Sequence, residues 1–239
     1  MSNPAAVTGW LAFGVMIGLS SFGLRKRLAM IPIGRASFWL RLHAFGGALA
    51  AALFWLHTGA VWPLGLYERA LTACFYLVSA SGAAGYALQK IYPPLLTATG
   101  VEVIFERIPA ELADLRDRAE AIVLACTEET GSDTLSRHYL ESMDWFFRRP
   151  RFFASHALCG EKGHQWVRIR SLSVSRYLDH KEKAFLNKLS RLAYHKNDVD
   201  FHYAAQSVMK GWLFFHIPLS AALLVLALWH VVLVHVYAL

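Results

Sequence analysis

Charged residues are scarce in this chain. Asp, Glu, Lys and Arg make up only 17% of its 239 residues, against 56% hydrophobic, whereas a soluble domain is nearer a quarter charged. That deficit points to a membrane protein. Other absences narrow the chemistry. The three cysteines, Cys74, Cys126 and Cys159, stand far apart. There is therefore no C-x-x-C for an iron–sulfur ligand run, no C-x-x-C-H for covalent haem attachment, and no disulfide framework. No G-x-G-x-x-G follows a strand pattern and no G-x-x-x-x-G-K-[ST] occurs, so no nucleotide-binding domain is visible. The net charge of +7 comes without any groove-reading motif, which argues against a nucleic-acid partner. Met1 to Thr8 carries no basic residue, so the first apolar segment reads as a retained helix, not a cleaved signal.

What is present lies at the two ends. Apolar segments run from about Thr8 to Leu24, Ser37 to Trp62, Tyr67 to Leu88 and Gly211 to Leu239, each long enough to cross the hydrocarbon. The expected fold class is all-α: an integral membrane four-helix bundle with a helical cytoplasmic insertion between the third and fourth spans. Its parts are residues 1–92 (spans one to three), 93–210 (the insertion) and 211–239 (span four). Trp10, Trp55, Trp62, Trp212 and Trp229 lie towards the span ends, where indoles meet headgroups. Arg25, Lys26, Arg27, Arg35 and Arg41 follow one another with no acid among them, which makes that segment cytoplasmic and both termini periplasmic. A bacterial inner membrane is the expected setting. In the polar middle, acids and bases read as evenly interleaved. Helices are expected over Leu112–Cys126, Asp133–Phe147, Asp179–His195 and from Asp198 onward, with Pro93-Pro94 closing the third span.

The histidines carry the functional argument. Span two holds His43 and His57; span four holds His216 and His230; both intervals are 14 residues. At about 100° per residue, that interval falls about 40° short of four full turns, so each pair shares a face. The two levels are roughly 21 Å apart along the helix. Both spans run in the same direction, so His43 and His216 share one level and His57 and His230 the other. Ionisable groups inside a span are costly and ask for a function. Two facing imidazoles at one depth can supply both axial ligands of a haem iron, so the four side chains are placed for two non-covalent b-type haems. Gly46 and Gly47, and the small residues from Ser79 to Gly85, would let a flat macrocycle approach the backbone. Ordinary close packing of membrane helices explains them equally well.

A His-x₁₃-His facing a second such pair resembles the membrane di-haem b-type cytochromes. That group includes the cytochrome b of quinol–cytochrome c oxidoreductases and the ferric-reductase-like transmembrane proteins. The resemblance covers spans two to four. It implies His43 and His216 as ligands of a cytoplasmic-side haem, His57 and His230 as ligands of a periplasmic-side haem, and electron carriage between the two faces. No flavin or nicotinamide domain of the ferric-reductase kind is recognisable. The expected partners are membrane lipid and other redox subunits (soluble iron–sulfur, flavin or c-type cytochrome proteins), with quinone as a further candidate ligand.

Other residues were weighed beside these. Arg35 and Arg41 are candidates for pairing with haem propionates, and equally a topology signal. His235 reads as an interfacial polar residue. Cys159 and His164 are too few for a metal centre. His195, Asp198, Asp200 and His202 read as a solvated helix face, or else as a proton relay. Phe146, Phe147, Phe152 and Phe153 flank Arg148, Arg149 and Arg151, a patch suited to headgroups or a docking partner. Two other functions compete with electron transfer. One is a haem-free anchor or scaffold. The other is a proton or metal transporter, which would want carboxylates that the interiors of spans two to four lack.

Overall fold

A computed structural model describes residues 4–21 and 36–237. The expected basic loop, with Arg25, Lys26, Arg27 and Arg35, lies outside the described residues. All described elements are helical. In chain order they are α1 (Pro4–Ser20), α2 (Ala36–Thr58), α3 (Leu66–Ala98), a short 3-10 turn (Phe105–Arg107), α4 (Ile108–Thr130), α5 (Thr134–His138), a π-helical turn (Tyr139–Met143), α6 (Asp144–Phe147), α7 (Phe153–Ala157), α8 (Lys162–Ser175) and α9 (His180–Tyr237). Three of them are long and apolar enough to cross a membrane, over Ser37–Thr58, Leu66–Ala98 and within His180–Tyr237, and Pro4–Ser20 is a shorter apolar helix. This composition marks a membrane protein. The chain forms two compact units: residues 1–89 with 211–239, and residues 90–210.

In the first unit α1 packs along α2. Leu19 sits over Gly46, and the His57 ring lies against Gly9, so the two helices are antiparallel. The Phe54 and Phe75 rings stack at 4.2 Å, and the Trp55 indole donates to the Tyr76 hydroxyl at 3.2 Å. These contacts join α2 to α3. Along α3, the Tyr67 hydroxyl donates to the Leu226 carbonyl, Cys74 Sγ lies 3.7 Å from the Leu219 carbonyl, and the Ser81 carbonyl accepts from Trp212 at 2.8 Å. The partners descend in number as α3 ascends, so α3 is antiparallel to the last part of α9. His43 and His216 border one cavity and the His57 and His230 rings are in contact, so α2 and that part of α9 run in the same direction, the sense required for two histidine levels.

The second unit has a conventional core in which Leu115, Ala119, Leu135, Met143, Phe146 and Leu189 are almost fully buried. Its helix ends are set locally. Gly131, at φ +70, terminates α4 with its amide on the Thr127 carbonyl, the left-handed stop that glycine adopts without strain. Asp179 and Glu182 accept from each other's backbone amides at 2.7 and 2.8 Å, a reciprocal capping box that starts α9.

Several boundaries differ from the sequence expectation. Gly59, at φ +60, takes the amide bond to Trp55 and ends α2 at Thr58, four residues before Trp62. Pro93 and Pro94 do not close α3. They remove two amide donors, yet the helix continues to Ala98, with the Thr97 hydroxyl bonded to the Pro93 carbonyl at 3.0 Å and Gly100 (φ +69) following. No break occurs at Lys196-Asn197, and α9 is one helix of 58 residues. The reason is that Lys196 is an interior residue. Its ammonium donates to Asp200 at 2.6 Å and to the Arg149 carbonyl at 2.9 Å, and lies 4.0 Å from the Phe146 ring centre. Asp200 also accepts from the Arg151 amide at 3.1 Å. Burial pulls the Lys196 ammonium down and pushes the Asp200 carboxyl up, and the attraction between the two opposes both shifts. Asp200 and His202 are buried, which corrects the reading of a solvated face.

The polar charges are also segregated. Residues 102–144 hold eleven acids and four bases, whereas 145–191 hold three acids and eleven bases. Arg116, Arg118 and Arg137 pair with acids within the acidic stretch.

His156 is almost fully buried, and burial holds its imidazole down to about 4, with the neighbouring His164 and Lys196 adding to the depression. The unfolded chain therefore binds a proton below about 6.5 that the folded chain refuses until about 4. Stability is lost across that window as pH falls, by roughly 3 kcal/mol at most. The difference between wild type and His156→Gln isolates this contribution from the opposing one of Asp200. It should move in the variant's favour as pH is lowered from 6.5 towards 4, and thermal unfolding of the full chain in detergent at several pH values checks it.

Candidate functional site

The first unit has a partly open cavity of about 550 Å³, within the range of cofactor pockets. Its walls come from α1, α2, α3 and α9, and it is lined by both His43 and His216. The two imidazoles expected at one level border the same space. The lining is mostly small or apolar, with Gly47, Ala48, Ala51, Ser79, Gly82 and Ala83 among it. Arg41, Ser20 and Tyr86 supply polar groups to its wall. The Arg41 Nε donates to the Ser37 carbonyl one turn back at 3.3 Å, and among the described residues its guanidinium is the one basic group besides the two imidazoles on this mostly apolar wall.

Gly46 and Gly47 part company here. Gly47 lines the cavity, and a Cβ there would meet nothing within 4 Å. Gly46 turns to α1, where a Cβ would come within 2.7 Å of Leu19. It borders a second, smaller space of about 300 Å³ with Trp39, Leu42 and another aspect of His43.

His216 is held on three sides. Its Nδ1 is 3.1 Å from the Ser81 hydroxyl, the Trp212 ring stacks on it at 5.1 Å between centroids and 22° between planes, and the Ser220 hydroxyl one turn later donates to its backbone carbonyl at 2.8 Å. Pro218, inside the helix two residues on, has no amide proton for the Phe214 carbonyl.

At the other level the rings of His57 and His230 lie 6.2 Å apart, nearly perpendicular at 84°. Two imidazoles bound on opposite sides of one metal, at bonds of roughly 2 Å each, have ring centres about 6 Å apart. His57 Nδ1 is 2.8 Å from the Ala5 carbonyl. A carbonyl can only accept, so Nδ1 carries the proton and Nε2 keeps its lone pair, the arrangement common in metal-bound histidines. The Tyr67 ring stacks with His230 at 6.3 Å and 11°. Spacing along the sequence offered no sign of Ala5, Tyr67 or Ser81 as partners, because each reaches its histidine from another helix; Trp212, four residues before His216 on α9, was legible as a same-face neighbour.

His235 bonds the Val231 carbonyl of its own helix at 2.8 Å and meets the edge of Trp10 at 5.6 Å. Cys159 is exposed, while His164 stacks on Tyr194 and approaches Asp198 at 3.4 Å. His195 lies 3.6 Å from Glu111. Among the described residues no three His, Cys, Asp or Glu side chains gather as a metal centre; a bis-histidine haem site has only two protein ligands. No family model, curated protein or solved structure matches this chain.

The two adjacent glycines should respond oppositely to the same side chain. In the chain prepared without cofactor, Gly46→Leu should cost about 1–3 kcal/mol by overpacking α1 against α2. Gly47→Leu should be neutral or stabilising by up to about 1 kcal/mol, since it enters open space and removes a helical glycine. Thermal unfolding in detergent distinguishes them, and equal effects would mean that the cavity wall is misassigned.

Proposed function

We propose that the chain is a di-haem b-type membrane cytochrome that carries electrons between the two faces of the bilayer. The observation that carries this reading is the pairing of four histidines by level: His43 with His216 on one cavity, and His57 with His230 at ligand-pair spacing. Supporting it are the fixed tautomer of His57, the small residues of the cavity wall, and Arg41 at its polar end. In this reading α1, α2, the first part of α3 and the last part of α9 are four crossings, α1 being short at about 25 Å. Residues 22–35 and the second unit face the cytoplasm, and the setting is a bacterial inner membrane. The likeness to the di-haem cytochromes of quinol oxidoreductases and ferric reductases belongs to this same reading.

The residues divide the labour. His43 and His216 would hold one iron and His57 and His230 the other. Haem, when bound, supplies the one-electron chemistry. The chain fixes ligand orientation, excludes water with apolar helix faces, and offers Arg41 to the propionates. The two levels are roughly 21 Å apart along the helices, one towards each face. Electrons would pass to and from other redox subunits or quinone.

A reduced-minus-oxidised visible spectrum of the purified protein, with pyridine haemochrome quantitation, tests this. About two b haems per chain are expected, with one lost in His216→Ala, one in His57→Ala, and the His43/His216 haem lost in Gly47→Leu. A well-folded chain without haem would sink the reading and leave an anchor or a transporter.

A further inference from the structure

The surroundings of His216 form a device that ligand pairing does not require. Ser81 and Gly85 stand four residues apart on α3, one turn, and Trp212 and His216 four residues apart on α9, so the two pairs face each other across one helix interface. The Trp212 indole N–H donates to the Ser81 carbonyl at 2.8 Å. Its ring occupies the space a Cβ on Gly85 would need, and its face covers the His216 imidazole. The hydroxyl of the same Ser81 lies 3.1 Å from His216 Nδ1. Ser81 itself is buried, so no water competes for that contact. One side of the imidazole is thus closed by an aromatic plane and its Nδ1 edge by a hydroxyl. Both are anchored at one residue of α3, and rotation about the His216 side-chain bonds would break one contact or the other.

We propose that Ser81, Trp212 and Gly85 form a clamp that positions the His216 imidazole and sets the reduction potential of the haem it ligates; this rests on the di-haem reading above. With iron on Nε2, Nδ1 is protonated and donates to the Ser81 hydroxyl oxygen. Donation makes the imidazole more electron-rich, which favours the ferric over the ferrous state. Trp212 keeps the ring plane fixed so that this bond persists, and Gly85 makes room for Trp212. These are positioning residues. None of them ligates the iron.

Redox titration of the purified holoprotein, followed at the haem absorbance and by electron paramagnetic resonance of the ferric state, reads the clamp directly. Ser81→Ala should retain both haems and shift one of them towards the ferrous state by about tenfold at fixed ambient potential. For one electron that is an upward shift of about 59 mV. The resonance of that haem alone should change. Ser81→Thr, which keeps the hydroxyl, should restore both values. Thr72→Ala, which removes a buried hydroxyl of the same helix away from the cavity lining, should leave them unchanged. Gly85→Ala should displace Trp212 and reproduce the resonance change with Ser81 intact. Loss of one haem in Ser81→Ala, with retention in Ser81→Thr and Thr72→Ala, supports the clamp equally. Two haems with wild-type potentials in Ser81→Ala overturn it while leaving the di-haem reading standing. So does loss of haem in Ser81→Ala and Thr72→Ala alike, which marks a packing defect. A wild-type chain with no haem removes both.

Discussion

An imidazole among apolar helices is tolerable only if its two nitrogens are used. Each carries a lone pair or a proton that lipid cannot satisfy, and a polar group left alone in an apolar medium costs several kcal/mol. This requirement organises the first unit. His57 donates a hydrogen bond to the Ala5 carbonyl, and His216 Nδ1 approaches the Ser81 hydroxyl on α3 while its Nε2 lies 3.5 Å from the Ser220 hydroxyl. Helix α1 is held to α2 partly because His57 reaches across to it. Helix α3 is held to α9 by the cluster around Ser81 and Trp212. The helices pack around their histidines as much as through their apolar surfaces.

The same constraint appears with different chemistry in the second unit. Lys196 and Asp200 are interior residues whose mutual attraction and backbone bonds offset the cost of leaving water. A buried pair of this kind adds little net stability against an apolar replacement, but removal of one partner is severe. Through Arg149 and Arg151 it ties the segment after α6 to the middle of α9. The charged residues that look most soluble in the sequence are therefore among the most structural.

That inversion explains what could be read in advance. The apolar segments, their common direction in α2 and α9, and the two histidine levels follow from periodicity, because period and direction are properties of a single helix. The partners of those histidines do not, because Ser81 and Ala5 are ordinary residues until another helix arrives. Gly46 and Gly47 are indistinguishable by neighbour or pattern, and a rotation of about 100° sends one to Leu19 and the other to the cavity. The burial of Lys196 is not legible in the sequence, because it needs a carboxylate at i+4 and an aromatic ring from elsewhere, and only the first is visible locally. Pro93 and Pro94 misled for a related reason: a missing amide ends a helix only when packing does not carry the chain onward.

The unbroken course of α9 bears on how this protein can vary over generations. A loop accepts gained or lost residues because its length carries no phase. In α9, His216 must face the cavity and His230 the His57 ring, and the helix is continuous between them. One inserted residue would turn every later side chain by about 100°, moving His230 off its partner while His216 stays. Relatives of this chain should therefore tolerate substitution between His216 and His230 but conserve the count of residues there. A gap in that stretch would mark a lineage in which the two levels no longer share a face.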